Sequence, residues 1–132
     1  MLQLEALIET ECLNGIFVVE HWLSQPELET VHLAQFNLVS GYCRPPGCHG
    51  GSSIFSDNRP AIKTLDLGKY VEDRVCEVSG MRYGGIHFFV IYRPPSGDFI
   101  RFLNKLTTLL EDFAVCSILC IGDFNVHFNS NA

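Results

Sequence analysis

Three short apolar runs constrain the fold of this 132-residue chain more than any other feature. They are Ile16–Val19, Phe88–Ile91 and Ile118–Ile121, and each has the length of one strand. Short apolar runs bounded by polar or turn-forming residues are typical of β-strands that are buried on both faces. None approaches the roughly 18 to 20 residues that are needed to span a bilayer. We therefore predict a globular protein with no membrane segment, whose strands are covered on both sides.

The remaining pattern predicts further strands and two helices. Apolar residues recur at helical spacing from Phe99 to Phe113, and more briefly from Leu2 to Ile8 before a C-cap signal at Asn14-Gly15. The run Phe88–Ile91 lies within a predicted strand at Ile86–Tyr92. The other predicted elements are strands at Phe36–Tyr42 and Ser52–Phe55, an edge strand at Val71–Val78, a hairpin connection at Ser79–Gly85 and a polar connection or helical turn from Ser24 to Glu27. This mixture predicts an α/β (α+β) sandwich in which helices cover sheets, within one domain over residues 1–132.

The N-terminal segment and the cysteines indicate the compartment. Met1–Thr10 contains Glu5 and Glu9 instead of a basic region, so we expect no secretory signal and an intracellular protein, cytoplasmic or nuclear. In a reducing compartment the six cysteines should be free thiols. A zinc site at Cys43, Cys48 and His49 is disfavoured, because the CxxC spacing and a second ligand pair are absent.

The net charge of −6 limits what the chain can bind. A protein that is held to nucleic acid by phosphate contacts alone is normally basic. A metal-dependent phosphoesterase can be acidic, because the cation offsets the carboxylates of its site. The charge therefore argues against tight DNA binding by this chain alone.

Residues capable of chemistry follow three of the predicted strands. Glu20 ends the first, Tyr92 and Arg93 end the second, and Asp123 ends the third with Asn125 just beyond. Strand ends often deliver side chains to one rim of a sheet, where two carboxylates can bind a hard divalent cation. Taken singly, an acid after a strand is more often a turn residue or a helix cap. We interpret His87 and His127 as structural or solvent-facing.

Several motifs together give these residues a more specific interpretation. They are Glu20-His21-Trp22-Leu23, Gly50-Gly51-Ser52-Ser53-Ile54-Phe55, Tyr92-Arg93-Pro94-Pro95-Ser96 and Ile121-Gly122-Asp123-Phe124-Asn125-Val126-His127. In this order, with a helix between the last two, the chain resembles the endonuclease/exonuclease/phosphatase family over nearly its whole length. The resemblance is strongest to the endonuclease domain of LINE-type (non-LTR) retrotransposons. The chain departs from the family at His21, a position at which the family more often has Thr.

The resemblance implies a role for each matched residue. Glu20 would bind Mg²⁺, with Mn²⁺ as the alternative metal, and Tyr92 would contact the scissile phosphate. Asp123 would orient or deprotonate the attacking water, or assist the leaving group, and Asn125 would hold the phosphate in line. The implied partner is DNA, and a full-length relative would carry a reverse transcriptase domain. The oligomeric state stays open.

The resemblance also implies an incomplete domain. The family's first strand, which ends in a metal-site Asn, would precede Met1, and its final Asp-His motif would lie beyond Ala132. Three interpretations therefore stay open. The first is a Mg²⁺-dependent DNA endonuclease domain impaired in this fragment, the second is a non-catalytic remnant of such a domain, and the third is a phosphatase for a small phosphorylated substrate.

Overall fold

The structure, a computed structural model, describes residues 14–45 and 49–126. Within these ranges it is a mixed α+β fold with two β-sheets and two α-helices. The strands are β1 (Gly15–Val19), β2 (Asn37–Tyr42), β3 (Ser52–Ser56), β4 (Lys63–Thr64), β5 (Glu77–Tyr83), β6 (Ile86–Tyr92) and β7 (Ser117–Asp123). The helices are α1 (Gln25–Glu29) and α2 (Phe99–Asp112), with a 3₁₀ turn at Gly68–Tyr70. The mixed class predicted from the sequence is confirmed.

The two sheets differ in size and in strand direction. The smaller sheet has the order β1-β3-β2 and is antiparallel throughout. The larger has the order β4-β5-β6-β7, in which the first three strands are antiparallel and β7 runs parallel to β6. A parallel neighbour requires a crossover, and α2 supplies it. The C-terminal ends of β6 and β7 therefore lie side by side.

Alternation along the strands builds three apolar layers. Ile54, Met81 and Val90 pack between the two sheets. Phe89, next to Val90 on β6, instead packs against α2 and the 3₁₀ turn. Phe55, next to Ile54 on β3, packs against α1 and the segment after it. Successive side chains of a strand point to opposite faces, so the strands β3, β5 and β6 are covered on both faces.

Both helices begin at side-chain caps. Ser24 and Glu27 form a reciprocal capping box at the start of α1, which turns the predicted polar connection into a short helix. Asp98 accepts a hydrogen bond from the backbone N–H of Arg101 at the start of α2, where a helix was predicted. The helix predicted at Leu2–Ile8 lies outside the described residues. In the described ranges, no helix is long and apolar enough to cross a membrane.

The prediction for the segment from Val71 to Gly85 was wrong in two respects. The strand begins at Glu77 and lies between β4 and β6, so it is an inner strand and not an edge strand. The hairpin connection is only Gly84-Gly85, whose φ values of 60° and 78° suit a tight turn. The two-residue strand β4 covers the outer edge of β5, and it is too short to give a periodic signal.

The prediction that the strand after α2 is buried was also wrong. In the described part of the chain, β7 pairs with β6 alone and forms an edge of the larger sheet. Leu119 is 46% exposed and Ile121 is 38% exposed. Their apolar character indicates a strand, but their burial depends on which neighbours the fold supplies.

Candidate active site

Three strands from distant parts of the chain end at one rim of the two sheets. Glu20 directly follows β1, and Tyr92 and Asp123 are the last residues of β6 and β7. Tyr92 pairs with Asp123 across the parallel ladder and with Glu77 across the antiparallel one. Directly paired residues share one face of a sheet. Glu77, Tyr92 and Asp123 therefore form a row, and the described structure places Glu20 of the other sheet against its central member.

The contact between Tyr92 and Glu20 is a direct hydrogen bond. The Tyr92 hydroxyl donates to Oε1 of the Glu20 carboxylate, although 72 residues separate the two in sequence. Burial, and then this hydrogen bond, raise the pKa of Tyr92 well above its usual value. The phenol therefore keeps its proton and acts as a neutral donor. Glu20 itself is exposed, so its carboxylate is open to solvent.

Asp123 and Asn125 form a turn at the end of β7. The backbone N–H of Asn125 donates to Oδ1 of Asp123 over 2.9 Å, and this fixes an exposed carboxylate next to Tyr92. The side-chain amide of Asn125 donates to the carbonyl of Arg93 over 2.6 Å. Asn125 thus connects the ends of β6 and β7 through one of its two side-chain N–H donors.

Arg93 supplies a buried positive charge behind this turn. Its guanidinium donates to the carbonyl oxygens of Asn125, Phe124 and Gly97 over 2.8, 3.2 and 3.0 Å. The side chain also lies over the ring of Phe99, with 5.2 Å from Cζ to the ring centroid. Because it binds backbone carbonyls, Arg93 holds the two strand ends together without neutralising the carboxylate of Asp123.

An ion pair that sequence reasoning missed supports the other side of the rim. Glu77 is fully buried, and its carboxylate accepts from Nε of Arg44 over 2.7 Å, with Nη2 of Arg44 at 2.5 Å. The second oxygen accepts from the backbone N–H of Gly51 over 2.7 Å. A carboxylate within the apolar run Val75–Val78 was the available signal, because a buried charge needs a partner.

The backbone after β1 is held against the glycines before β3. Glu20 N–H donates to the carbonyl of Gly51 over 2.8 Å, and Trp22 N–H donates to that of Gly50 over 2.9 Å. A Cβ on Gly51 would lie 2.3 Å from Nε2 of His21, so this close approach requires glycine. The ion pair of Glu77 is therefore connected, through Gly51, to the residue that carries the rim carboxylate.

His21 is a structural residue in this arrangement. Its Nδ1 accepts from the backbone N–H of Leu23 over 3.0 Å, so the proton resides on Nε2, which donates to the carbonyl of Tyr42 over 2.9 Å. Burial, the largest influence, lowers the pKa of His21. The neutral ring locks β1 to β2 and does not reach the rim as a base. His87 packs on Phe113, and His127 lies outside the described residues.

The charged groups that the described rim offers to a metal ion are carboxylates. Among the described residues, no group of three or more His, Cys, Asp or Glu side chains is placed to hold a metal ion. Of the residues considered for zinc, Cys48 lies outside the described ranges, and Cys43 is a free thiol 4.0 Å from Nε2 of His21. Cys76, Cys116 and Cys120 are also free thiols, and Cys12 lies outside the described residues. Searches of family models and of curated proteins found no match to this chain.

Proposed function

We propose that this chain is a domain of the endonuclease/exonuclease/phosphatase type, resembling retrotransposon endonucleases, and that it hydrolyses phosphodiester bonds of DNA with Mg²⁺. One observation carries the proposal. The hydroxyl of Tyr92 donates to Glu20, and Asp123 is the ladder partner of Tyr92. Residues chosen from three separate motifs thus meet at one rim, an arrangement that the motifs alone do not require. The layering of helices outside two packed sheets supports the same family.

The donor set of the rim fits a hard cation. Mg²⁺ is usually bound through one or two carboxylates and keeps several waters, so a three-ligand cluster is not needed. Glu20 is exposed, and Tyr92 donates to one of its two carboxylate oxygens. Glu20 would hold the ion, with Mn²⁺ as an alternative. When bound, the ion would supply charge neutralisation at a phosphate.

The other rim residues have roles that follow from their protonation and position. Tyr92 remains a phenol, so its single O–H can donate to a phosphate oxygen without adding negative charge when it exchanges Glu20 for that acceptor. Asp123 presents an exposed carboxylate that can orient a water or accept its proton. Asn125 fixes the turn through one N–H of its side-chain amide, which binds the carbonyl of Arg93, and the second N–H is left for a phosphate. This positioning role is compatible with the phosphate contact that the resemblance implies for Asn125.

A second candidate is a remnant that keeps the rim but does not cut. The observation that favours it is the state of His21, which directly follows Glu20 and is locked between two backbone groups. Among the described rim residues, proton transfer therefore rests on carboxylates. The net charge of −6 also opposes the approach of a polyanion.

A plasmid-nicking assay with Mg²⁺ separates the two candidates. The full chain is compared with Glu20→Gln, Tyr92→Phe and Asp123→Asn, and with Glu111→Gln as a matched exposed acid on α2. We expect the native chain and Glu111→Gln to nick equally and EDTA to abolish nicking. The nicking rate of each rim variant should be lower by about 100-fold or more, which is the lower end of the effect of a general acid or base. Equal nicking by all variants would refute the assigned site, and no nicking by the native chain would establish the remnant.

A further inference from the structure

The backbone between Glu20 and Trp22 adopts an unusual conformation. Glu20 has a φ of 55° and Trp22 a φ of 61°, both in the left-handed region that non-glycine residues rarely occupy. For a bulky side chain such as tryptophan this conformation is a genuine outlier. Hydrogen bonds to the carbonyls of Gly50 and Gly51 maintain it. Such strain persists where surrounding structure enforces it, and it concentrates at functional sites.

The strained segment presents an aromatic surface beside the rim. Trp22 is 58% exposed, and it is the only tryptophan of the chain. Its ring contacts that of His49, with 4.1 Å between centroids and 46° between planes. The same short segment directs Glu20 to Tyr92. The local fold therefore displays the largest aromatic side chain in solvent within two residues of the candidate metal ligand.

We propose that Trp22, supported by His49, is a platform on which an unpaired nucleobase stacks. The proposal deepens the nuclease function and rests on it. The Cα atoms of Trp22 and Glu20 are at most about 7 Å apart, which corresponds to about two nucleotide steps of 3.4 Å. This backbone spacing is compatible with a base on Trp22 that belongs to a nucleotide near a phosphate bound at Glu20.

Because the chain is acidic, base stacking is a more effective source of affinity for a nucleic acid strand than attraction to its phosphates. Among the described residues, Arg44 is committed to Glu77 and Arg93 to backbone carbonyls, so these two cations are not directed at a phosphate. Stacking does not depend on charge, because every base has a π-face. An acidic protein can therefore hold a single strand through an aromatic ring where phosphate attraction is weak.

The test uses a single-stranded decamer of thymidine in EDTA, so that binding is measured without cleavage. Emission from Trp22 reports directly on its ring, and a fluorescein-labelled decamer gives Kd by anisotropy for variants. We expect saturable quenching and a Kd weakened by about 5- to 150-fold in Trp22→Ala. Trp22→Phe should keep most of the affinity. Ile100→Ala, at a residue that is 64% exposed on α2, is the matched control and should bind like the native chain.

Any of three outcomes would refute the proposed platform. The first is no binding by the native chain, and the second is an equal Kd for the native chain and Trp22→Ala, with both shown to be folded by circular dichroism. The third is equal quenching by an abasic decamer of the same length. The result of this binding test can be distinguished from the result of the nicking assay. Nicking that depends on Glu20 together with an unchanged Kd in Trp22→Ala refutes the platform and leaves the nuclease function standing. Specific quenching in a chain that does not nick supports the platform without the reaction.

Discussion

Removal of Glu77 is the perturbation for which the structure gives the clearest magnitude. The side chain is fully buried, and that of its partner Arg44 is only 11% exposed. Glu77→Ala would leave the guanidinium without its carboxylate and would remove the acceptor of the Gly51 N–H. Breaking a buried ion pair by removing one partner typically costs about 3–5 kcal/mol. We expect a loss in that range in the free energy of unfolding.

The size of the domain makes such a loss measurable. At about 0.05–0.15 kcal/mol per residue, a chain of this length has a stability of roughly 7–20 kcal/mol. Glu77→Gln should cost less than Glu77→Ala, because an amide oxygen can still accept from Gly51. The double variant Arg44→Met/Glu77→Leu should be less destabilised than the sum of its single changes, because no uncompensated charge stays buried.

The assay is urea denaturation followed by far-ultraviolet circular dichroism at pH 7.5, analysed as a double-mutant cycle. The single variants of this cycle are Arg44→Met and Glu77→Leu. Because the two side chains are in direct contact, we expect a coupling energy above about 1 kcal/mol between them. Lys69→Met, which removes one partner of the exposed pair with Asp112, is the control and should change stability little. A loss below about 1 kcal/mol in Glu77→Ala, or strict additivity in the cycle, would refute the reasoning.

Two further predictions concern residues next to the rim in sequence, Gly122 and His21. Gly122→Ala should destabilise the chain by about 2 kcal/mol or more in urea denaturation, because its Cβ would lie 1.8 Å from the carbonyl oxygen of Ile91. Gly84→Ala, with no atom within 4 Å of its Cβ, should cost clearly less, and equal losses would contradict this explanation. Burial lowers the pKa of His21 from its usual value of 6.5. As the pH falls below about 6.5, His21 therefore becomes protonated in the unfolded chain before it does in the folded one. The stability that the neutral ring contributes above about pH 6.5 should decline below that pH. Stability measured from pH 7.5 to 5 should therefore fall more in the native chain than in His21→Gln, and parallel curves would exclude this contribution.

Local patterns in the sequence predicted most elements of the fold. The apolar run before Glu20 and the helical spacing after Phe99 each reflect a periodicity within a few residues, and both elements formed where they were predicted. The strand ends also placed Glu20, Tyr92 and Asp123 as candidates for one rim. The hydrogen bond between Tyr92 and Glu20 agrees with that placement, while the reaction itself stays a prediction.

The position of a strand within a sheet was not predictable in the same way. The segment containing β5 was expected at an edge and lies inside, and the strand containing Ile121 was expected to be buried and lies at an edge of the described sheet. Strand order depends on pairing between segments far apart in sequence. An apolar residue therefore indicates that a strand forms, but not which neighbours will cover it.

The sequence by itself determined the types of element and the candidate residues at their ends, because these follow from local spacing and residue chemistry. Only the tertiary structure decided that Glu77 is buried against Arg44, that Asn125 binds a strand end, and that Trp22 is displayed in solvent. Each of these depends on partners from other segments. The physical reason is that burial and hydrogen bonding between distant residues are settled only when the sheets pack together.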